Sequence, residues 1–135
     1  MSRSTAAFLV GAVILAAAGI AGAATTEYSS GNLESAIPDN DAAGVESAIT
    51  VADAGQVVDV RVDVRIGHTS DGDVEIYLVH PDGTTVPLSS DNGKTGDDYG
   101  SGAGDCSGTM TSFADAYPAS IFTAGPPFEG SYKPE

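Results

Sequence analysis

The sequence predicts an all-β fold, a sandwich of antiparallel strands, on three observations. Val58, Val60, Val62, Val64 and Ile66 alternate with Asp59, Arg61, Asp63 and Arg65, a period of two carried by β-branched residues. Turn formers punctuate the chain at short intervals, His80-Pro81-Asp82-Gly83 being the clearest set. No helical period survives beyond the first two dozen residues, and no internal repeat is present.

The elements follow in chain order. Met1 to Ala23 opens with one arginine and an uncharged, alanine-rich apolar run extending to Ala24, the pattern of a signal helix. Ala21-Gly22-Ala23 fits the small-x-small cleavage rule, which puts the cut before Ala24 and predicts a secreted protein. The run is almost long enough to span a bilayer, since spanning takes about 20 apolar residues, so an uncleaved anchor is the alternative. No cysteine lies near the cut, which argues against a lipid-anchored lipoprotein. Residues 24–36 are polar, small and without period, an extended leader.

Residues 37–135 are left for the domain, enough for one modest core and too few for two. The strand over Val58 to Ile66 expects half-burial. Gly67 to Gly72 is loop chemistry, and Val74, Ile76 and Leu78 resume the alternation against Asp73, Glu75 and Tyr77, a second strand expected antiparallel to the first. After the turn at 80–83, Thr84 to Leu88 returns as a third strand whose proline suits an edge or a position outside the ladder. Ser89 to Gly108, rich in glycine, serine and aspartate, forms a long loop, and loops of that length are usually functional or mobile. A fourth strand is expected near Met110 to Asp115, and the proline-rich tail beyond it offers no further strand.

Charge narrows the function classes. The chain carries 19 acidic residues against five basic ones, a formal net charge of −14. Such a surface repels nucleic acid and anionic lipid, so neither nucleic-acid binding nor membrane association after signal cleavage is expected. It suits divalent cations, basic peptides or plain solvation and salt tolerance. Cys106 is the single cysteine, which excludes an internal disulfide and leaves a free thiol or a partner outside this sequence.

Several residues carry groups suited to chemistry, and each also has a structural role open to it. The segment "SGTMTS" around Ser112 resembles, in scrambled order, the Gly-Thr-Ser-Met around the nucleophile of subtilisin-like proteases. A nucleophilic serine needs a base and oxyanion donors, and Ser112 falls in an expected strand while His68 and His80 fall in a loop and a turn. The two histidines match no spacing typical of zinc sites. Calcium takes carboxylate and carbonyl oxygens from loops, and three clusters supply them. These are Asp39, Asn40 and Asp41; Asp71, Asp73 and Glu75; and Asp91, Asn92, Asp97 and Asp98. Asp71, Asp73, Asp91, Asp97 and Asp98 are the candidate metal ligands, with calcium the only cofactor suggested. The alternative is a cross-strand charge pair between Arg65 and Glu75, stabilising by a few tenths of a kcal/mol.

The stretches "IPDN", "SAITV", "VVDVRVDVRIGHTSDGDVEIYLVHPDGTTVPLSS" and "FEGSYKPE" together resemble the P domain, or Homo B domain, of subtilisin-like proprotein convertases and related bacterial proteases. The family's order of valine-rich strand, His-Thr loop, Asp-Leu-Glu-like strand and Pro-x-Gly-Thr turn corresponds here to Val58–Ile66, His68-Thr69, Asp73-Val74-Glu75 and Pro81–Thr84. The resemblance implies a jelly-roll-like, galactose-binding-like β-sandwich that follows a subtilisin-type catalytic domain and supports its folding, stability and calcium or pH dependence. It implies a secreted, non-catalytic accessory domain, partnered by a subtilisin-like catalytic domain or another protein, with the triad in that other domain. A piece of a longer serine endopeptidase and a free-standing calcium-stabilised surface-binding module are the rival readings. Two departures stand out: no protease domain precedes the segment, and the Gly-x-Trp-x-Leu strand expected after it is missing, as is any tryptophan. The expectation is therefore a C-terminally incomplete domain with unpaired edges and an uncovered apolar face.

Overall fold

The computed structural model describes residues 24–38, 41–101 and 108–135. The expected signal helix, Asp39, Asn40 and Cys106 lie outside the described residues. Five strands form: β1 (Val62–Val64), β2 (Glu75–Val79), β3 (Thr85–Ser90), β4 (Thr111–Phe113) and β5 (Gly130–Tyr132). Two single 3-10 turns, Asp71–Asp73 and Ile121–Thr123, are the only helical elements among the described residues. The fold class is all-β, as the alternation predicts, and among the described residues no helix is long and apolar enough to cross a membrane.

The strands divide into two sheets, β1-β4-β5 and β2-β3. In the first, β1 runs antiparallel to β4, with Val62 opposite Phe113 and Val64 opposite Thr111. In the second, β2 and β3 form an antiparallel hairpin with a register shift between Ile76 and Tyr77. The 80–83 turn closes it as expected: the His80 amide donates to the Thr84 carbonyl at 2.8 Å, and Gly83, at φ 90°, donates back to the His80 carbonyl at 2.8 Å.

Three expectations need correction. β2 does not pair with β1. The four-residue turn lets β3 close onto β2 at once, whereas Gly67–Gly72 turns through a 3-10 segment into the other sheet's partner. Arg65 therefore does not face Glu75 across a hairpin. Its Nε donates to the Ser101 carbonyl at 2.7 Å, and Glu75 stands opposite Ser90 and accepts the Tyr77 hydroxyl at 2.9 Å.

The first strand is also shorter than its alternation. β1 pairs only with the three residues of β4, so the ladder covers Val62–Val64, and Ile66 makes one further bridge to Tyr99. Val58, four positions before the partnered stretch, is 81% exposed. Finally, the tail does supply a strand: β5 lies parallel to β4, with Thr111 opposite Gly130 and Phe113 opposite Tyr132.

One core joins the two sheets. Tyr99, Phe113, Ile121 and Phe128 are fully buried with Val74, Ile76 and Leu88, and Val62, Val64, Ile66 and Tyr132 pack against them. Side chains from both sheets thus share a single interior, which makes the molecule a sandwich. At its centre the Tyr99 and Phe128 rings stack with centroids 4.7 Å apart, and Tyr132 meets Phe128 edge-on at 6.1 Å. Such pairs add about 0.5–1.5 kcal/mol each beyond their area. Phe128 is tied down further, since its carbonyl accepts the buried Thr111 hydroxyl at 2.5 Å.

Candidate functional site

Asp71 is the outstanding polar residue of the interior. Its side chain has no exposure to solvent, and neither carboxylate oxygen has a hydrogen-bond partner. The local sequence explains the position: the 3-10 turn over Asp71–Asp73 rotates Asp71 inward and leaves Asp73 facing out, where a continued strand would have placed both on one face.

The loop after β3 closes over this turn. The Asp71 amide donates to the Gly96 carbonyl and the Gly72 amide to the Lys94 carbonyl, both at 2.8 Å. Further back, the His68 amide donates to Asp98 Oδ1 at 2.9 Å, and the Asp98 amide returns a bond to the His68 carbonyl at 3.2 Å. Glycine is required where the segments touch. A β-carbon on Gly72 would stand 2.8 Å from the Lys94 carbonyl oxygen, and one on Gly93 2.7 Å from the Asp71 Cβ.

Burial pushes the Asp71 carboxyl up to about 6, and the charge of Asp98 adds to the rise, with Asp97 contributing less. The Asp98 amide, which donates to the His68 carbonyl and lies outside bonding geometry with Asp71, and the charge of His68 offset part of it. A desolvated carboxylate without a bonded partner disfavours its own ionised form, so the site asks for either a proton or a cation.

The five candidate ligands are placed unequally. Asp71 is buried and Asp98 half-buried, while Asp73, Asp91 and Asp97 are exposed. Asp91 and Asp98 take positive φ, 54° and 74°, which turns the loop back on itself. Among the described residues no three His, Cys, Asp or Glu side chains gather as a metal-binding group. Burial separates Asp71 from the other four, a distinction that the period-two reading of Asp71, Asp73 and Glu75 could not make.

Ser112 and the two histidines are engaged elsewhere. The Ser112 hydroxyl donates to Asp63 Oδ1 at 2.5 Å across the β1–β4 pair, and Asp63 also holds Arg61 at 2.9 Å. His68 Nδ1 lies 2.8 Å from the Ser70 carbonyl oxygen, and His80 lies 2.9 Å from Asp82 within its turn. Serine and histidine are thus held on separate elements, without the hydrogen-bonded chain that a nucleophile needs.

A second surface feature lies between the sheets. A groove of about 270 Å³ is lined by Val57, Val58, Val60, Leu78 and Val86 above Phe113. Those five aliphatic residues are all exposed, as is Val79 beside them on β2.

Two sheets sharing one core, joined by acidic loops and grooved by aliphatic side chains, define a β-sandwich module. Residues 57–115, from the groove through β4, match the family model described as the proprotein convertase P-domain. No curated protein and no solved structure gives a significant match.

Proposed function

We propose that the chain is an exported, non-catalytic accessory module of subtilisin-like serine proteolysis, which packs against a catalytic domain and stabilises or regulates it. The observation that carries this reading is the P-domain match across β1 to β4. P-domains associate with subtilisin-like catalytic domains, and the groove with its exposed valines and leucine offers an apolar surface for such a contact. The hydrogen bond of Ser112 to Asp63 across the β1–β4 pair supports a non-catalytic role. Export rests on the apolar run ending in Ala21-Gly22-Ala23.

The test is a binding titration of the full chain against a subtilisin-type catalytic domain from the same genome, followed by calorimetry, with peptidase activity recorded for each component. Saturable binding that raises the catalytic domain's melting midpoint is expected, and Val58→Asp with Val86→Asp should weaken it. Peptidase turnover by the chain alone that disappears in Ser112→Ala would overturn the reading. Mass spectrometry of the secreted material should find Ala24 at the N-terminus.

A further inference from the structure

We propose that Asp71 anchors a binding site for a calcium-type divalent cation, enclosed between the Asp71–Asp73 turn and the 93–98 loop, with Asp98 as its second carboxylate. Two independent observations meet at this place. One is the acidic loop, where Asp97 and Asp98 stand on the segment that lies over Asp71. The other is the side chain itself, fully buried with both oxygens unpartnered.

The backbone places the acids together. The Asp71 and Gly72 amides bond to the Gly96 and Lys94 carbonyls, and Asp98 is bonded to His68 at the foot of the same turn, so the acidic loop lies directly over the buried carboxylate. Two carboxylates drawn together without a cation repel each other in a dry setting, and a divalent ion reverses the sign of that interaction.

The chemistry of the donors selects the ion class. The donors are mainly oxygen, from two carboxylates and from a loop whose turns present backbone carbonyls, while the nearby His68 has its Nδ1 2.8 Å from the Ser70 carbonyl oxygen, and hard cations with flexible coordination accept that mixture. Zinc favours a closed set of nitrogen and sulfur ligands, and no such set forms among the described residues. Asp73 and Asp91, exposed, belong to the surface and not to the site.

Tyr99 supplies a reporter. It is buried, stacked on Phe128, and within the electrostatic reach of Asp71, so a luminescent calcium substitute bound there would be excited through its ring. The experiment melts the full chain in chelator and in calcium chloride, then titrates it with terbium chloride under tyrosine excitation. Calcium is expected to raise the wild-type melting midpoint, and terbium to give sensitised emission that calcium displaces.

Asp71→Asn should melt higher than wild type in chelator and lose the calcium response, and Asp98→Asn should weaken the response. Asp73→Asn should keep it whole. Tyr99→Phe should lose most of the terbium emission while calcium still raises its midpoint. An unchanged wild-type midpoint in calcium, or a rise of equal size in Asp71→Asn and wild type, would overturn the proposal. If Asp71→Asn fails to fold, Asp98→Asn and terbium displacement decide in its place: no sensitised emission from wild type refutes the site.

Discussion

A β-carbon added to Gly93 would stand 2.7 Å from the Asp71 Cβ and 2.9 Å from the Phe128 ring, so these two glycine neighbours fix how closely the 93–98 loop can seat on the core. Gly93 also holds φ 87°, which costs an L side chain about 1–2 kcal/mol before any clash. Gly93→Ala is therefore expected to destabilise by more than about 2 kcal/mol. Gly83→Ala is the matched comparison, since Gly83 has φ 90° and open space around it. Urea midpoints of the two variants should differ by the steric part alone, with Gly93→Ala the weaker.

Thr111 and Phe128 give a second test. The Thr111 hydroxyl is fully buried on β4 and donates to the Phe128 carbonyl just before β5 begins. Thr111→Val keeps the shape and removes the donor, leaving a buried carbonyl short of a partner. Losses of that kind cost about 1–3 kcal/mol. Chemical denaturation should show a lower midpoint at an unchanged m value, and hydrogen exchange should quicken first at the Tyr132 and Lys133 amides.

These particulars show where the sequence was legible. The alternation in Val74 and Ile76, the turn at Pro81–Gly83 and the strand after it all emerged, because period and turn chemistry are local signals. Partner choice was not local. β1 and β2 look like successive strands of a hairpin, yet their partners lie in β4 and β3, and only the three residues of β4 decide how much of Val58 to Ile66 is laddered. β5 was hidden for another reason: Gly130, Ser131 and Tyr132 carry no alternation of their own, and parallel pairing to β4 makes them a strand. At the acidic loops the residue types were visible, but burial was not. Asp71 differs from Asp73 only through a 3-10 turn that no period announces.

The hairpin turn offers a titration at its other extreme. The Asp82 carboxylate accepts the Thr84 amide at 2.8 Å, and that bond, followed by the contact with His80, lowers its pKa to about 2. A carboxyl held below its unfolded value contributes stability that is complete above about 4 and is lost as pH falls through about 2. Chemical-shift titration should place the Asp82 midpoint near 2. Asp82→Ala should remove that step and loosen the β2–β3 turn without altering the core resonances of Phe113 and Phe128.

Asp71 carries the opposite sign. In chelator, burial and the Asp98 charge hold its carboxyl at about 6, above the unfolded value of 3.8. The folded state then binds a proton more tightly than the unfolded chain does. Its stabilising share is complete below about 4 and is lost as pH rises through about 6. The melting midpoint of the chelated protein should accordingly decline between about pH 4 and pH 6 by an amount that Asp71→Asn abolishes, because the amide has no proton to lose. Differential scanning calorimetry across that window, with wild type and Asp71→Asn in the same chelating buffers, measures it. A wild-type slope no steeper than that of Asp71→Asn would mean that the buried carboxylate is compensated in the folded chain by something other than a proton.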